Sequence, residues 1–312
     1  MEHPRFTSYI TQYNPEKKGF GFYLLGSLVI TLFSFFGQIP MFFFLPEQLP
    51  ATENQMDLFA HLDSNLTLFL LLFPSLVAFF GFLFVINKMH QQSLVAVSTA
   101  RAQIDTQRIL FGFLFWGLVS ILVFGFDLFL SPEDYVWNFK PLPFLLMFVI
   151  ACCFIPFQSA LEEWIFRAYL MQGFAGLTKS RFLSLALTSI IFGSLHAFNP
   201  EVAKLGYGLM AYYIGTGFFF GIMSLMDDGI ELAIGFHVAN NLVTAILVTA
   251  DWTAFQTESL YKDISTPVLE QELILFLLLI YPLTLFYLGR KYQWNDWRNK
   301  LTGPLHGKAT DL

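Results

Sequence analysis

Residues 143–177 read PFLLMFVIACCFIPFQSALEEWIFRAYLMQGFAGL. From Pro143 to Phe157 no side chain is charged; then Glu162, Glu163 and Arg167 arrive within six residues. One membrane crossing takes about 20 apolar residues, so this run is too long for a simple crossing and carries charge in its second half. An Arg or Asp at the centre of a membrane helix costs about 2.5–3.5 kcal/mol on insertion scales, so ionisable groups kept there mark function.

The rest of the chain has the same solvent. Of 312 residues 55% are hydrophobic and 13% charged, and 39 are Phe; soluble domains carry about 25% charged residues. The mean hydropathy is +0.58. Such a chain has too few polar groups to cover its surface in water, so lipid must cover it. The net charge of -6 comes with no basic stripe, which leaves out nucleic acid as a partner. Cys152 and Cys153 are the two cysteines; adjacent and inside an apolar run, they read as small packing residues and not as a disulfide framework.

Apolar runs predict eight spans, near 20–45, 67–88, 109–130, 143–177, 182–198, 203–226, 229–250 and 272–289. The expected fold class is all-α, a polytopic membrane helix bundle forming one integral membrane domain over 1–312, with no internal repeat. The first run is longer than a cleavable signal peptide and no small-residue cleavage site follows it. Loops are longest near 46–66, 89–108 and 251–271. Eight spans place Arg5, Lys17, Lys18, Lys88, Arg101, Arg108, Lys179, Arg181, Arg290, Lys291, Arg298, Lys300 and Lys308 on one side, against Lys140, Lys204 and Lys262 on the other. The positive-inside rule makes both termini cytoplasmic. The first outer loop fits, with Glu47, Glu53, Asp57 and Asp63 and no Lys or Arg.

Three places hold the polar groups. Glu163 and Arg167 are four apart, share a helix face and can pair. Glu162 is left over, about 100° around the helix, and suits general-base work. His196 ends Phe192-Gly-Ser-Leu-His196; alone in an apolar helix, a histidine is commonly a satisfied structural residue. His237 and Asn241 are again four apart, with Asn240 close by, and an imidazole beside an amide can donate two hydrogen bonds to one oxygen. Counting helical rise from the cytoplasmic ends puts Glu162 roughly 22 Å deep, His196 about 21 Å, and His237 and Asn241 about 12 and 18 Å, depths at which the sites can meet. Asp228 and Glu231 read as the cap and first turn of the seventh span, and Asp227 as a solvated loop residue. His3, His61, His90 and His306 show no evident partner.

This set suits amide hydrolysis. Glu162 and His196 can share a water, Glu162 taking its proton; His237 and Asn241 can stabilise an oxyanion; Glu163 and Arg167 then hold the helix and its charge balance. No Ser or Cys nucleophile arrangement, HExxH or Gly-Asp aspartyl site competes. One Glu with two His is also a zinc donor set, and the spacing leaves that alternative open. A proton-coupled transporter and a catalytically idle scaffold would also keep buried charge.

Together the motifs EExxxR (Glu162, Glu163, Arg167), FxxxH (Phe192, His196) and HxxxN (His237, Asn241) resemble the CAAX prenyl protease and bacteriocin-processing family, which includes the type II CAAX endopeptidase. The resemblance covers about 143–250, the expected catalytic core. It implies an α-helical intramembrane endopeptidase acting on a membrane-associated protein or peptide in the lipid bilayer. In it the first Glu and the FxxxH histidine activate water, and the HxxxN pair forms the oxyanion hole. A metal-free mechanism is the expectation and no cofactor is expected; the metalloprotease label used for some members keeps zinc as the alternative. Short loops and the lack of organelle signals point to a bacterial plasma membrane.

Overall fold

The structure is a computed structural model in which residues 8–12, 19–46, 58–59, 61–266, 268–269 and 275–305 are described. Arg5, Lys17, Lys18, Glu47, Glu53, Asp57, Lys308, His3 and His306 lie outside them.

The expected helical bundle forms. Its long members are α1 (Phe20–Phe42), α2 (Ser64–Met89), α4 (Thr106–Leu130), α5 (Pro141–Thr178) and α8 with its lead-in (Tyr207–Asp227). Among the described residues these five helices are long and apolar enough to cross a membrane. Two of the expected spans are shorter apolar helices, α6 (Arg181–Leu195) and α9 (Glu231–Leu247). The last is a π-helical stretch, Leu275–Ile280, continued by α10 (Tyr281–Lys291). Three further short helices are α3 (Leu94–Ser98), α7 (Pro200–Leu205) and α11 (Trp297–Thr302).

Local chemistry sets the helix ends. The Asp63 side chain accepts from the Asn65 and Leu66 amides to start α2, Asp105 does the same for Gln107 and Arg108 in α4, and Ser180 caps α6 through Leu183. Pro141 opens α5 where a missing N–H costs nothing. Leu24, Leu28, Phe36, Leu114, Phe126 and Leu145 point outward and exposed, as lipid-facing side chains do. Inside, α4 and α9 cross closely because Gly112 and Gly235 face each other's backbones. A Cβ on Gly235 would strike the Ile109 carbonyl oxygen, and one on Gly112 would lie 2.9 Å from the Leu232 oxygen.

An all-α reading misses one small feature. Strands β1 (Tyr135–Trp137), β2 (Val248–Thr249) and β3 (Tyr261–Asp263) form a sheet in the order β1-β3-β2. β1 runs antiparallel to β3 with Val136 opposite Lys262, and β2 runs parallel to it. Pieces this short have no periodicity to read. Lys140 pairs with Glu258 and Lys262 with Asp251, tying these loops together.

At the other end the positively charged segments gather. Asp227, expected to be solvated, is 5% exposed. It accepts from Arg101 at 2.9 Å, Arg108 at 2.6 Å and the Trp294 indole at 3.1 Å. Asp228 does not cap α9: it ends α8 in the left-handed region (φ 52°) and binds Ser8 and Lys300. Glu231 does lie in the first turn of α9, yet it is buried against Arg101 and the Asp105 amide. The loops carry cations within reach, and burial makes each carboxylate take them. His90 also has partners: it is buried against the Tyr169 hydroxyl at 2.9 Å and stacks near Tyr23. His61 meets the Phe44 carbonyl.

Candidate active site

α5 supplies the acidic half of the site. Its first segment, Pro141–Glu163, is α-helical and ends at Glu163; Trp164–Leu170 is a π-turn, and Met171–Thr178 returns to α. Single π-turns inside membrane helices cluster at functional sites. Glu163 is fully buried and Arg167 is 1% exposed, with 3.1 Å between Arg167 Nη1 and Glu163 Oε1. The pairing expected from their spacing is therefore made. The Arg167 guanidinium lies 4.0 Å over the Phe192 ring and 5.4 Å from that of Phe220, so aromatic faces replace part of the water it lost.

Tyr9 comes from the N-terminal segment into this turn. Its hydroxyl donates to the Arg167 carbonyl at 3.1 Å, and Gln172 donates back to the Tyr9 carbonyl. A π-turn displaces backbone acceptors from their usual donors, and Tyr9 meets one of them. Burial and the Asp228 charge raise the Tyr9 phenol well above its ordinary pKa, so it stays a donor.

α9 brings His237 directly onto this pair. Its Nδ1 is 2.7 Å from Glu163 Oε1, and its Nε2 is 3.7 Å from Glu162 Oε2. A buried carboxylate that accepts assigns the proton to Nδ1 and turns Nε2 toward Glu162. Phe220 stacks on the imidazole at 5.3 Å. The Glu162 side chain is 27% exposed, so it opens to the site, whereas Glu163 is sealed.

Asn241 also joins α5. Its Nδ2 donates to Ser159 Oγ at 3.1 Å and to Gln158 Oε1 at 3.3 Å. Gln158 Nε2 donates in turn to Glu162 Oε1. His196 follows α6 as its terminal cap, with Nδ1 bound to the Phe192 carbonyl at 2.8 Å and its ring stacked on Tyr213 at 4.3 Å. Its Nε2 has no hydrogen-bond partner among the described residues. Among the described residues His196 makes no direct bond to Glu162. It meets the cluster through Phe192, whose ring also faces His237 at 6.2 Å.

Glu163, Arg167 and His237 thus form one hydrogen-bonded set, and Glu162 and Asn241 join through Gln158 in another; the two adjoin where His237 Nε2 lies 3.7 Å from Glu162 Oε2, and His196 packs on the Phe192 ring beside them. Gln158, Ser159, Tyr213 and Phe220 were not read from the sequence. Gln158 had a signal: it is the amide one helical turn before Glu162. The aromatic residues had none in a chain so rich in them. Among the described residues no group of three or more His, Cys, Asp or Glu is placed to hold a metal.

No solved structure matches the chain. A curated relative, described as uncharacterized protein YyaK of Bacillus subtilis (strain 168), is 30% identical over 154 residues, 49% of this chain and 52% of the relative. The chain therefore spans about half of that relative's length. Residues 141–243, which hold Gln158, Glu162, Glu163, Arg167, Phe192, His196, His237 and Asn241, match the family described as type II CAAX prenyl endopeptidase Rce1-like. The family to which this stretch of the chain is similar, as its three motifs led one to expect, is thus the Rce1-like type II CAAX prenyl endopeptidases.

Proposed function

We propose that the protein is an intramembrane endopeptidase that hydrolyses a peptide bond in a membrane-associated protein or peptide. The observation that carries the reading is the half-open Glu162 carboxylate, one oxygen held by Gln158 and the other facing His237, inside the family-matched stretch.

Glu162 takes a proton from water, and the oxygen attacks the scissile carbonyl. His196, whose Nδ1 is engaged on its own helix, accepts a hydrogen bond at Nε2 from the hydrogen that stays on the water oxygen. The oxyanion is met by His237 at Nε2, on the side of Glu162, and by the Asn241 amide, one of whose two hydrogens leaves Ser159 Oγ to reach it. Glu162 returns its proton to the departing amine. Glu163 and Arg167 hold His237 and the helix in register. No step is routed through zinc. The proposed location is a bacterial plasma membrane, which the relative in Bacillus subtilis supports.

The test is cleavage of membrane-anchored and prenylated peptides by protein purified in detergent, with products identified by mass spectrometry. Glu162→Gln is expected to lower kcat by about 10²–10⁴-fold, and a zinc chelator to leave it unchanged. Activity lost to chelator and restored by zinc would overturn the metal-free step. A cellular phenotype kept by Glu162→Gln would replace the enzyme with a binding scaffold.

A further inference from the structure

Three amides lie in series between an indole and the Glu162 carboxylate. Trp116 Nε1 on α4 donates to Asn240 Oδ1 at 3.2 Å, and Asn240 Nδ2 donates to Asn241 Oδ1 at 3.1 Å. Asn241 Nδ2 donates to Gln158 Oε1 at 3.3 Å, and Gln158 Nε2 donates to Glu162 Oε1. Ser159 braces the middle, accepting from Asn241 at 3.1 Å and donating to Gln158 at 3.1 Å.

An amide in isolation can be turned over at little cost, because its oxygen and nitrogen have the same shape. Here both ends of the series are chemically fixed. An indole N–H only donates, and an ionised carboxylate only accepts. Turning any one amide would set donor against donor or oxygen against oxygen at both of its neighbours. The direction of all three therefore follows from the two ends, and each bond polarises the next in the same sense.

We propose that Trp116, Asn240 and Gln158 are positioning residues that form an oriented hydrogen-bond relay. The relay turns the Asn241 NH₂ group toward α5 and pins the Glu162 carboxylate with its second oxygen facing His237. This rests on the hydrolytic reading for what the relay serves, but not for its existence. Three helices contribute: α4 gives Trp116, α9 gives Asn240 and Asn241, and α5 gives Gln158 and Glu162. Trp116 is 2% exposed, so no water competes for its N–H, and it sits among Phe219, Phe236 and Tyr281. Its N–H reaches Glu162 only through the amides.

The test has two arms on the full-length protein in detergent. In the first, infrared difference spectra of each background against the same background carrying Glu162→Gln isolate the Glu162 carboxylate stretch without substrate. Gln158→Met, which keeps length and half-exposed setting while removing the donor, is expected to shift that band; Trp116→Phe is expected to shift it less. In the second, steady-state cleavage is measured. Gln158→Met is expected to lower kcat about tenfold at unchanged KM, as loss of a hydrogen bond to a charged group does, and Gln158→Asn to recover less than wild type but more than Met. The double variant Trp116→Phe with Gln158→Met should be no slower than Gln158→Met, because members of one chain do not add.

An unshifted carboxylate band in Gln158→Met, or losses that multiply in the double variant, would overturn the relay while leaving the endopeptidase standing. A shifted band in a wild-type protein that cleaves nothing would keep the relay and remove the hydrolytic role of its end. Unfolding temperatures in the same detergent separate both results from misfolding, and Gln158→Met decides the matter if Trp116→Phe fails to fold.

Discussion

Glu163 and Glu162 are neighbours with opposite fates, and the difference is burial. Glu163 is sealed with Arg167 and His237 around one oxygen, whereas Glu162 keeps an oxygen toward the open site. Removing one member of a buried pair leaves an uncompensated charge, at a cost of about 3–5 kcal/mol. Arg167→Met should therefore lower the thermal unfolding midpoint in detergent strongly, and Glu163→Gln combined with Arg167→Met should recover much of the loss. Equal damage from single and double variants would mean that packing, not charge, holds the site. Glu162→Gln should leave the midpoint near wild type, since its side chain is partly exposed and its Gln158 contact survives as amide to amide. The charged residues were legible because hydrocarbon makes each of them conspicuous. Gln158 stands out less in the sequence, because burying a neutral amide costs less than burying a charge.

At the scale of elements, α5 is the hinge of the design. Its π-turn begins at the residue after Glu163 and carries Arg167. Tyr9 meets the Arg167 carbonyl there from a segment 158 residues away in sequence. Tyr9→Phe removes one buried hydrogen bond and leaves an acceptor unmet, a loss of about 1–3 kcal/mol, seen as faster amide hydrogen exchange over 164–171. No change in exchange there would show that the turn holds by itself. The α4–α9 crossing gives a second prediction. Gly235→Ala would push a methyl group into the Ile109 carbonyl, which is backbone and cannot rotate away. Overpacking of this kind costs about 1–3 kcal/mol and would separate Trp116 from Asn240, so it should lower both the unfolding midpoint and kcat. Unchanged values would mean that the helices part freely. Helix periods were legible; where the turn widens was not, since no Pro or Gly lies in 164–170 to announce it.

For the whole molecule, lipid decides the outside and ion pairs decide one end. Ser8, Arg101, Arg108, Arg181, Asp227, Asp228, Glu231 and Lys300 draw the N-terminal segment, the α3–α4 loop, the start of α6 and α11 together. Cations counted along the sequence to one side are thus close in space. We propose that this end is cytoplasmic, with both termini there and eight spans in all. Reporter fusions at residues 90–105 and 250–262 test it: the first should be active only with a cytoplasmic reporter and the second only with an exported one, and the reverse pattern would invert the topology. Asp227→Asn should loosen the clasp by about 1–3 kcal/mol, discounted because Arg101 and Arg108 are partly exposed. Limited proteolysis near Arg298 should then quicken.

Composition alone determined the solvent of this chain, because 13% charge cannot cover a water-facing surface. Spacing alone put Glu163 with Arg167 and His237 with Asn241, because positions four apart share a helix face whatever the helix packs against. The tertiary structure decided what those faces meet. That Glu163 takes His237 as well as Arg167, that Asp227 is buried under two arginines, and that Trp116 donates to Asn240 all depend on how far each helix is rotated and slid against its neighbours. A sequence period fixes which residues share a stripe, but not the height or angle at which two stripes touch. Hydrogen bonds lapse within an ångström of error, so the partners belong to the packing.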